Sequence, residues 1–433
     1  MIVELAYSRS TLPVNLPDEC DVHLLRKVAL APLADPQGAV DRAYAQPVGG
    51  PPLAELARGK TSACILICDI TRPVPNGLIL PPMIKALLDA GIAAEKITVL
   101  VATGLHRPNE GDELRELVGS DWVLDTVRVE NHFARNDADH VDMGVTATRG
   151  TPVKLDRRFV DADLRIATGL VEPHFMAGFS GGRKVISPGI AHQDTIRTFH
   201  SARFMEDPAA VQCNLDGNPL HEEQLEILRM LGGDIWAVNT VLDEQRNTTF
   251  VNFGEILQSH AEAVDYVRRS SSLPVARKFH TVLTSAAGFP LDATYYQTVK
   301  GMVMPMGILA PGADLIIAAA CTEGIGSDEF RAAQERLIAH GADGFLKQIL
   351  AKQFADVDEW QTEMQLKPMR LANIHLYTEG LQGVDREVTG VNMIDSIEAA
   401  VRASIERSGD RAIAVIPEGP YVVPFHDSQS VAA

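Results

Sequence analysis

"SACILIC", residues 62–68, is a short apolar run of β type, and it decides how the first half of the chain reads. Downstream, "PPMIKALLDAG" (81–91) starts with prolines and ends at Gly91 as a helix does, and "KITVLVATG" (96–104) is a second strand. Strand, helix and strand make a βαβ unit, whose parallel strands open ligand sites at their carboxyl ends. "DITRPVPN" (69–76) follows the first strand and "LHRP" (105–108) the second, so Asp69, Arg72 and His106 are expected on one rim. The phrase "ATGL" occurs in "VATGLHRP" (101–108) and again in "IATGLVEPHF" (166–175), which puts His174 at the same kind of strand end as His106.

Working outward, "EPHFMAGFSGGRKVISPGI" (172–190) sets His174 and Lys184 beside a Gly-Gly pair. Glycine is kept where a backbone turns tightly or approaches something closely, so the segment reads either as a ligand contact or as a surface loop. "HQDTIRTFHSARF" (192–204) is helical in pattern, and a further helix lies near 254–269. "SSSLPVARK" (270–278) has linker composition, which places a domain boundary near 272. Beyond it come a strand at 280–288, a helix opening at Asp292, a strand at 313–320, helices near 329–340 and 358–367, and a strand at 373–378. A last helix at 393–409 and the strand "AIAVIP" complete a second alternation. The expected fold is α/β with two domains, 1–272 and 273–433, each a mainly parallel sheet flanked by helices. Residues 411–433 fit either domain.

At 433 residues and 46% hydrophobic composition, two or three domains with large cores are expected. A formal charge of -18 argues against nucleic acid and against a polybasic membrane contact, which leaves small molecules as partners. Five scattered cysteines without a CxxC pair suit a reducing compartment and exclude a zinc knuckle. Cys64 and Cys68 read as core residues of one strand. The opening "MIVELAYSRS" lacks a basic segment followed by an apolar one, no run has the length of a membrane span, and a cytoplasmic location is expected.

On the helix that opens at Asp292, a good N-cap type, Tyr296 and Lys300 are spaced i,i+4 and Gln297 and Lys300 i,i+3, so the three share a face. His106, His174 and His200 have the chemistry of borderline metal ligands, but neither an HExxH motif nor paired Cys/His spacing accompanies them. "GFSGGRKV" lacks the P-loop spacing, no GxGxxG opens a helix after the first strand, and "FSGG" around Ser180 is not a GxSxG elbow. His192 and His221 acquire no role and are expected to face solvent.

"DITRPVPN", "GLHRP", "EPHFMAGFSGGRKVISPGI", "TFHSARF", "GFPLDATYYQTVKG" and "DEWQTEMQ", in this order over almost the whole chain, resemble the lactate racemase family. The resemblance implies an active site in an interdomain cleft that holds a nickel-pincer nucleotide, a pyridinium mononucleotide with sulfur donors and nickel. It implies covalent attachment at Lys184, nickel ligation by His200 and a cofactor contact at Asp69. His106 and His174 match the catalytic acid/base pair. Arg72, Gln297 and Lys300 match groups around the substrate carboxylate and hydroxyl, and Tyr296 and Trp360 match the pocket. Proteins that build the cofactor are implied partners.

These roles agree with elementary chemistry. Plain proton abstraction from C2 of a 2-hydroxy acid would add charge beside an ionised carboxylate, so oxidation to the 2-oxo acid and reduction on the other face is easier. A hydride acceptor is then required, and a histidine takes the hydroxyl proton. The expected activity is inversion at C2 of a lactate-like 2-hydroxy acid. Malate, a larger 2-hydroxy acid or an aldonate would use the same chemistry. A metal-dependent hydrolase or lyase built on the three histidines, or a non-enzymatic nickel-binding protein, are the alternatives from other classes.

Overall fold

Ala63–Cys68 is a strand, and its side chains alternate between two cores. Ile65 and Ile67 enter one apolar cluster together with Ile79, Leu80, Met83, Ile84 and Leu87 of the helix Asn76–Asp89. Cys64 and Leu66 enter a second, with Leu155, Phe159 and Ile190. Burial on both faces is why the strand reads as an unbroken apolar run and not as an alternation. The helix begins earlier than its prolines suggest: Pro81 and Pro82 lie inside it. Each lacks the N–H of an interior hydrogen bond, and burial of the five apolar side chains, at roughly 1.5–3 kcal/mol each, outweighs that loss.

The computed structural model describes residues 1–427 and divides into two units. One comprises Ala29–Phe199 and Asn214–Arg269. Its sheet has six strands in the order Thr248–Glu255, Trp236–Leu242, Leu164–Leu170, Ala63–Cys68, Ile97–Ala102, Arg128–Asn131. All neighbours are parallel except the first pair, in which Asn239 faces Asn252. Ile65 is flanked by Val99 on one side and Ile166 on the other, so the carboxyl ends of the three central strands deliver residues 69–72, 103–106 and 171–174 to one edge.

The other unit comprises Met1–Val28, His200–Cys213 and Ser270–Ala433. Its sheet is wholly parallel, in the order Asn392–Ile394, Ala372–Tyr377, Leu309–Ala318, Phe279–Ser285, Ala412–Ile416, Asp21–Leu24. The hairpin of Ile2–Tyr7 with Ser10–Asn15 turns Val3, Leu5 and Tyr7 into a core with Leu283, Ile316 and Val415. Ala202 packs with Leu337, Phe345 and Leu366. Ala412–Ile416 runs inside this sheet, and Val423–His426 pairs with Ser272–Val275, so the segment with linker composition is a strand. Among the described residues no helix is long and apolar enough to cross a membrane.

Candidate active site

The first unit gathers Asp69, Arg72, His106, Glu172, His174 and Lys184 at the carboxyl edge of its central strands. Asp69, 6% exposed, follows the strand Ala63–Cys68 directly. Its Oδ1 accepts from Thr71 Oγ1 at 2.5 Å and from Thr71 N at 3.2 Å, which closes the turn that carries Arg72. Its Oδ2 lies 2.5 Å from His106 Nδ1. Burial alone would raise the Asp69 carboxyl, but His106, Thr71 and Arg72 together outweigh it and hold the group below the usual carboxylate range. With a carboxylate on Nδ1, the His106 ring keeps Nε2 as its accepting nitrogen.

His174 is set the other way. It is 7% exposed, and its Nδ1 accepts from the backbone N–H of Met176 at 3.4 Å and of Ala177 at 3.2 Å. In the neutral ring the proton therefore sits on Nε2. The two peptide units that fix it are held from behind: Asn218 Nδ2 donates to Met176 O at 3.0 Å and Arg183 Nη2 to Ala177 O at 3.0 Å. Asn218 and Arg183 went unassigned in the sequence, although Arg183 stands inside the motif itself.

No sequence motif assigns Glu172 a role either. Its Oε1 lies 3.0 Å from Arg72 Nη1 in an ion pair, and its backbone exchanges hydrogen bonds with Ser180 in both directions. Position alone gave no signal, because one more carboxylate in an acidic chain is unremarkable until its partner is known.

Gly181 and Gly182, with φ of +75° and +51°, fold the loop back onto the sheet. A Cβ on Gly182 would lie 2.7 Å from His260 Cγ, and one on Gly169 would lie 3.0 Å from Gly181 Cα. The close approach these glycines permit is thus to protein, and it starts the short helix Arg183–Ile186 directly on the strand Leu164–Leu170. Lys184 is thereby brought beside Cys68, Asp69 and Arg72. Burial pushes its amine down to about 7, with the charges of Arg72 and Arg183 acting in the same direction. Among the described residues Lys184 Nζ has no hydrogen-bond or ion-pair partner.

The second unit holds His200, Tyr296, Gln297, Lys300 and Trp360. The helix there is Tyr295–Val303, capped by Thr294, whose side chain accepts from Gln297 N at 3.3 Å. Asp292 is not the cap: it is buried, and its Oδ2 accepts from Ser8 N at 2.6 Å and Ala320 N at 3.2 Å. Tyr295, Thr298 and Val299 face the interior, while Tyr296, Gln297 and Lys300 are half-buried on the opposite stripe. Trp360 Nε1 donates to Tyr296 Oη at 3.3 Å, and the Trp360 ring lies 5.1 Å from that of His200. His200 follows the helix Gln193–Phe199, which stops there instead of running on to 204. Among the described residues the buried Gln297 side-chain oxygen has no hydrogen-bond partner, which costs stability.

His192 corrects an expectation: it is 2% exposed, with Nε2 3.0 Å from Asp137 and Nδ1 3.3 Å from Asp194, because Pro152–Asp156 and the helix Gln193–Phe199 close over it. His221 is half-buried, and burial pushes its pKa down to about 3. Among the described residues no group of three or more His, Cys, Asp or Glu side chains is placed to hold a metal ion.

Residues 7–212 match the lactate racemase N-terminal domain, and residues 276–423 match the lactate racemase C-terminal domain. The lactate racemase of Thermoanaerobacterium thermosaccharolyticum is 33% identical over 330 residues, 76% of this chain and 76% of that protein. That of Lactiplantibacillus plantarum is 29% identical over 442 residues, 97% of this chain and 99% of that protein. The structure of the lactate racemase apoprotein from Thermoanaerobacterium thermosaccharolyticum superposes with a TM-score of 0.90 at 28% identity, covering 98% of this chain and all of that one. A Thermotoga maritima protein, at 18% identity and a TM-score of 0.69, shares the fold.

Proposed function

The chain belongs to the lactate racemase family of isomerases, and on that premise we propose that it inverts C2 of a short 2-hydroxy acid, lactate foremost, by way of the 2-oxo acid. The observation that carries this reading is the Asp69–His106 pair, 2.5 Å between Oδ2 and Nδ1, on the same rim as Arg72. A carboxylate on Nδ1 makes Nε2 the basic nitrogen and stabilises the imidazolium that forms when it takes the substrate's hydroxyl proton. Arg72 grips the substrate carboxylate through a planar fork of two N–H groups. His174 offers Nε2–H to the oxygen of the opposite enantiomer. Gln297 Oε1 accepts from the substrate hydroxyl, Lys300 adds a point charge, and Tyr296 and Trp360 bound the pocket.

The residues suit a nickel-pincer nucleotide, which when bound supplies a hydride acceptor and donor for C2. Only an unprotonated amine forms a thioamide-type link, and burial, with Arg72 and Arg183 nearby, pushes the Lys184 amine down to about 7, which favours that form. His200 supplies an imidazole to the nickel, a borderline ligand for a borderline metal. Asp69 contributes to holding the group, and assembling it requires dedicated biosynthetic proteins.

The test is to offer lactate, malate, a longer 2-hydroxy acid and an aldonate to the nickel-loaded holoenzyme and to follow inversion by chiral chromatography. Lactate is expected to be inverted most efficiently. Loaded protein that inverts none of them contradicts the proposal.

A further inference from the structure

Arg72 already holds a carboxylate, that of Glu172, at 3.0 Å. Neither partner reached this position loosely. Arg72 sits in a turn closed by its own N–H to Asp69 O at 3.0 Å and by the two Thr71 bonds to Asp69. Glu172 is fastened on both sides: its N–H donates to Ser180 Oγ at 3.0 Å, and its C=O accepts from Ser180 N at 2.9 Å. Pro173 then restricts the backbone that follows. Both side chains retain 23% exposure, so the pair stands where a small anion reaches it.

We propose that Glu172 is a built-in competitor for the substrate's carboxylate: it occupies Arg72 in the resting enzyme and must yield when the 2-hydroxy acid binds. The proposal rests on the reading of Arg72 as the carboxylate clamp. A fork formed by Nη1 and Nη2 needs the nitrogen that Glu172 holds, and two carboxylates beside one guanidinium repel each other, so binding in that fork includes displacing Glu172. The internal pair keeps a carboxylate on Arg72 when no substrate is present, and it weakens substrate affinity in return. Glu172 is therefore a residue that tunes affinity, distinct from the groups that move the proton.

Replacing the charge while keeping the shape tests this. In the nickel-loaded holoenzyme, Glu172→Gln should lower KM for lactate by roughly tenfold, the size of effect expected from removing one charged competitor. Glu172→Asp, which keeps the charge, should leave KM nearer to wild type than Glu172→Gln does. In an Arg72→Ala background, Glu172→Gln should no longer lower KM. A KM that is unchanged or raised in Glu172→Gln, while Arg72→Ala still raises KM, overturns the competitor and leaves the clamp intact. If Arg72→Ala leaves KM unchanged, the clamp reading itself fails.

Discussion

The imidazoles of His106 and His174 are anchored through the same atom to opposite effect. Nδ1 of His106 faces the carboxylate of Asp69 at 2.5 Å, and Nδ1 of His174 accepts the backbone N–H of Ala177 at 3.2 Å. In the neutral rings, one thus keeps Nε2 as an acceptor and the other carries its proton there.

Removing the anchor should disable the base. Asp69→Asn is expected to lower kcat by about 10²-fold or more, with a smaller effect on KM, because the amide neither fixes the tautomer nor stabilises the imidazolium. The same change has a signed consequence for stability. The Asp69 carboxyl is held below its unfolded value of about 3.9, so its contribution is present above that pH and is lost as pH falls through the folded value. The stability gap between wild type and Asp69→Asn, measured by urea titration, should close in acid. A gap that widens towards low pH contradicts the assignment.

His174 is open to direct observation. In protein labelled with 15N at histidine, the neutral ring should carry its proton on Nε2, and Asn218→Ala should disturb that preference by releasing Met176 O. A neutral ring protonated at Nδ1 contradicts the arrangement.

Lys184 should behave as a lysine of unusual reactivity before any cofactor is attached. In the apoprotein its rate of acylation, followed by mass spectrometry, should reach half its maximum near pH 7, well below the range of about 10.4 for ordinary lysines. Because this pKa is depressed, the unfolded chain binds one more proton than the fold between those two values, and stability rises with pH across the window. Lys184→Met should therefore stabilise the apoprotein at neutral pH, by about 1–3 kcal/mol, with the gain shrinking towards pH 10.

Gln297 offers a test that separates function from structure. Among the described residues its buried side-chain oxygen has no hydrogen-bond partner, so Gln297→Leu should hold or raise stability while lowering kcat/KM by about tenfold. A variant that loses stability and keeps its kinetics would remove Gln297 from the site.

Much of the sheet edge was legible in advance, because the apolar run around Ile65 and the turn at Asp69 obey local rules of strand and loop. The partners of those residues were not. Thr294, and not Asp292, caps the helix that bears Gln297, since Asp292 serves Ser8 and Ala320, far away in the chain. His192 looked solvated until the segments around Asp137 and Asp194 closed over it. The strand Asp21–Leu24 joins the sheet through Ala412–Ile416, a pairing across nearly the whole chain that local pattern does not record. Glu172 became visible only with Arg72 opposite it.

On the proposed mechanism the histidines handle the hydroxyl proton while the hydrogen on C2 leaves and returns without meeting solvent. The most direct measurement is the fate of deuterium placed at C2 of one enantiomer of lactate, turned over by the holoenzyme in ordinary water to near-complete racemisation. The inverted product should retain the deuterium, and acid quenching should release a trace of the 2-oxo acid. Extensive loss of deuterium with no 2-oxo acid would contradict it.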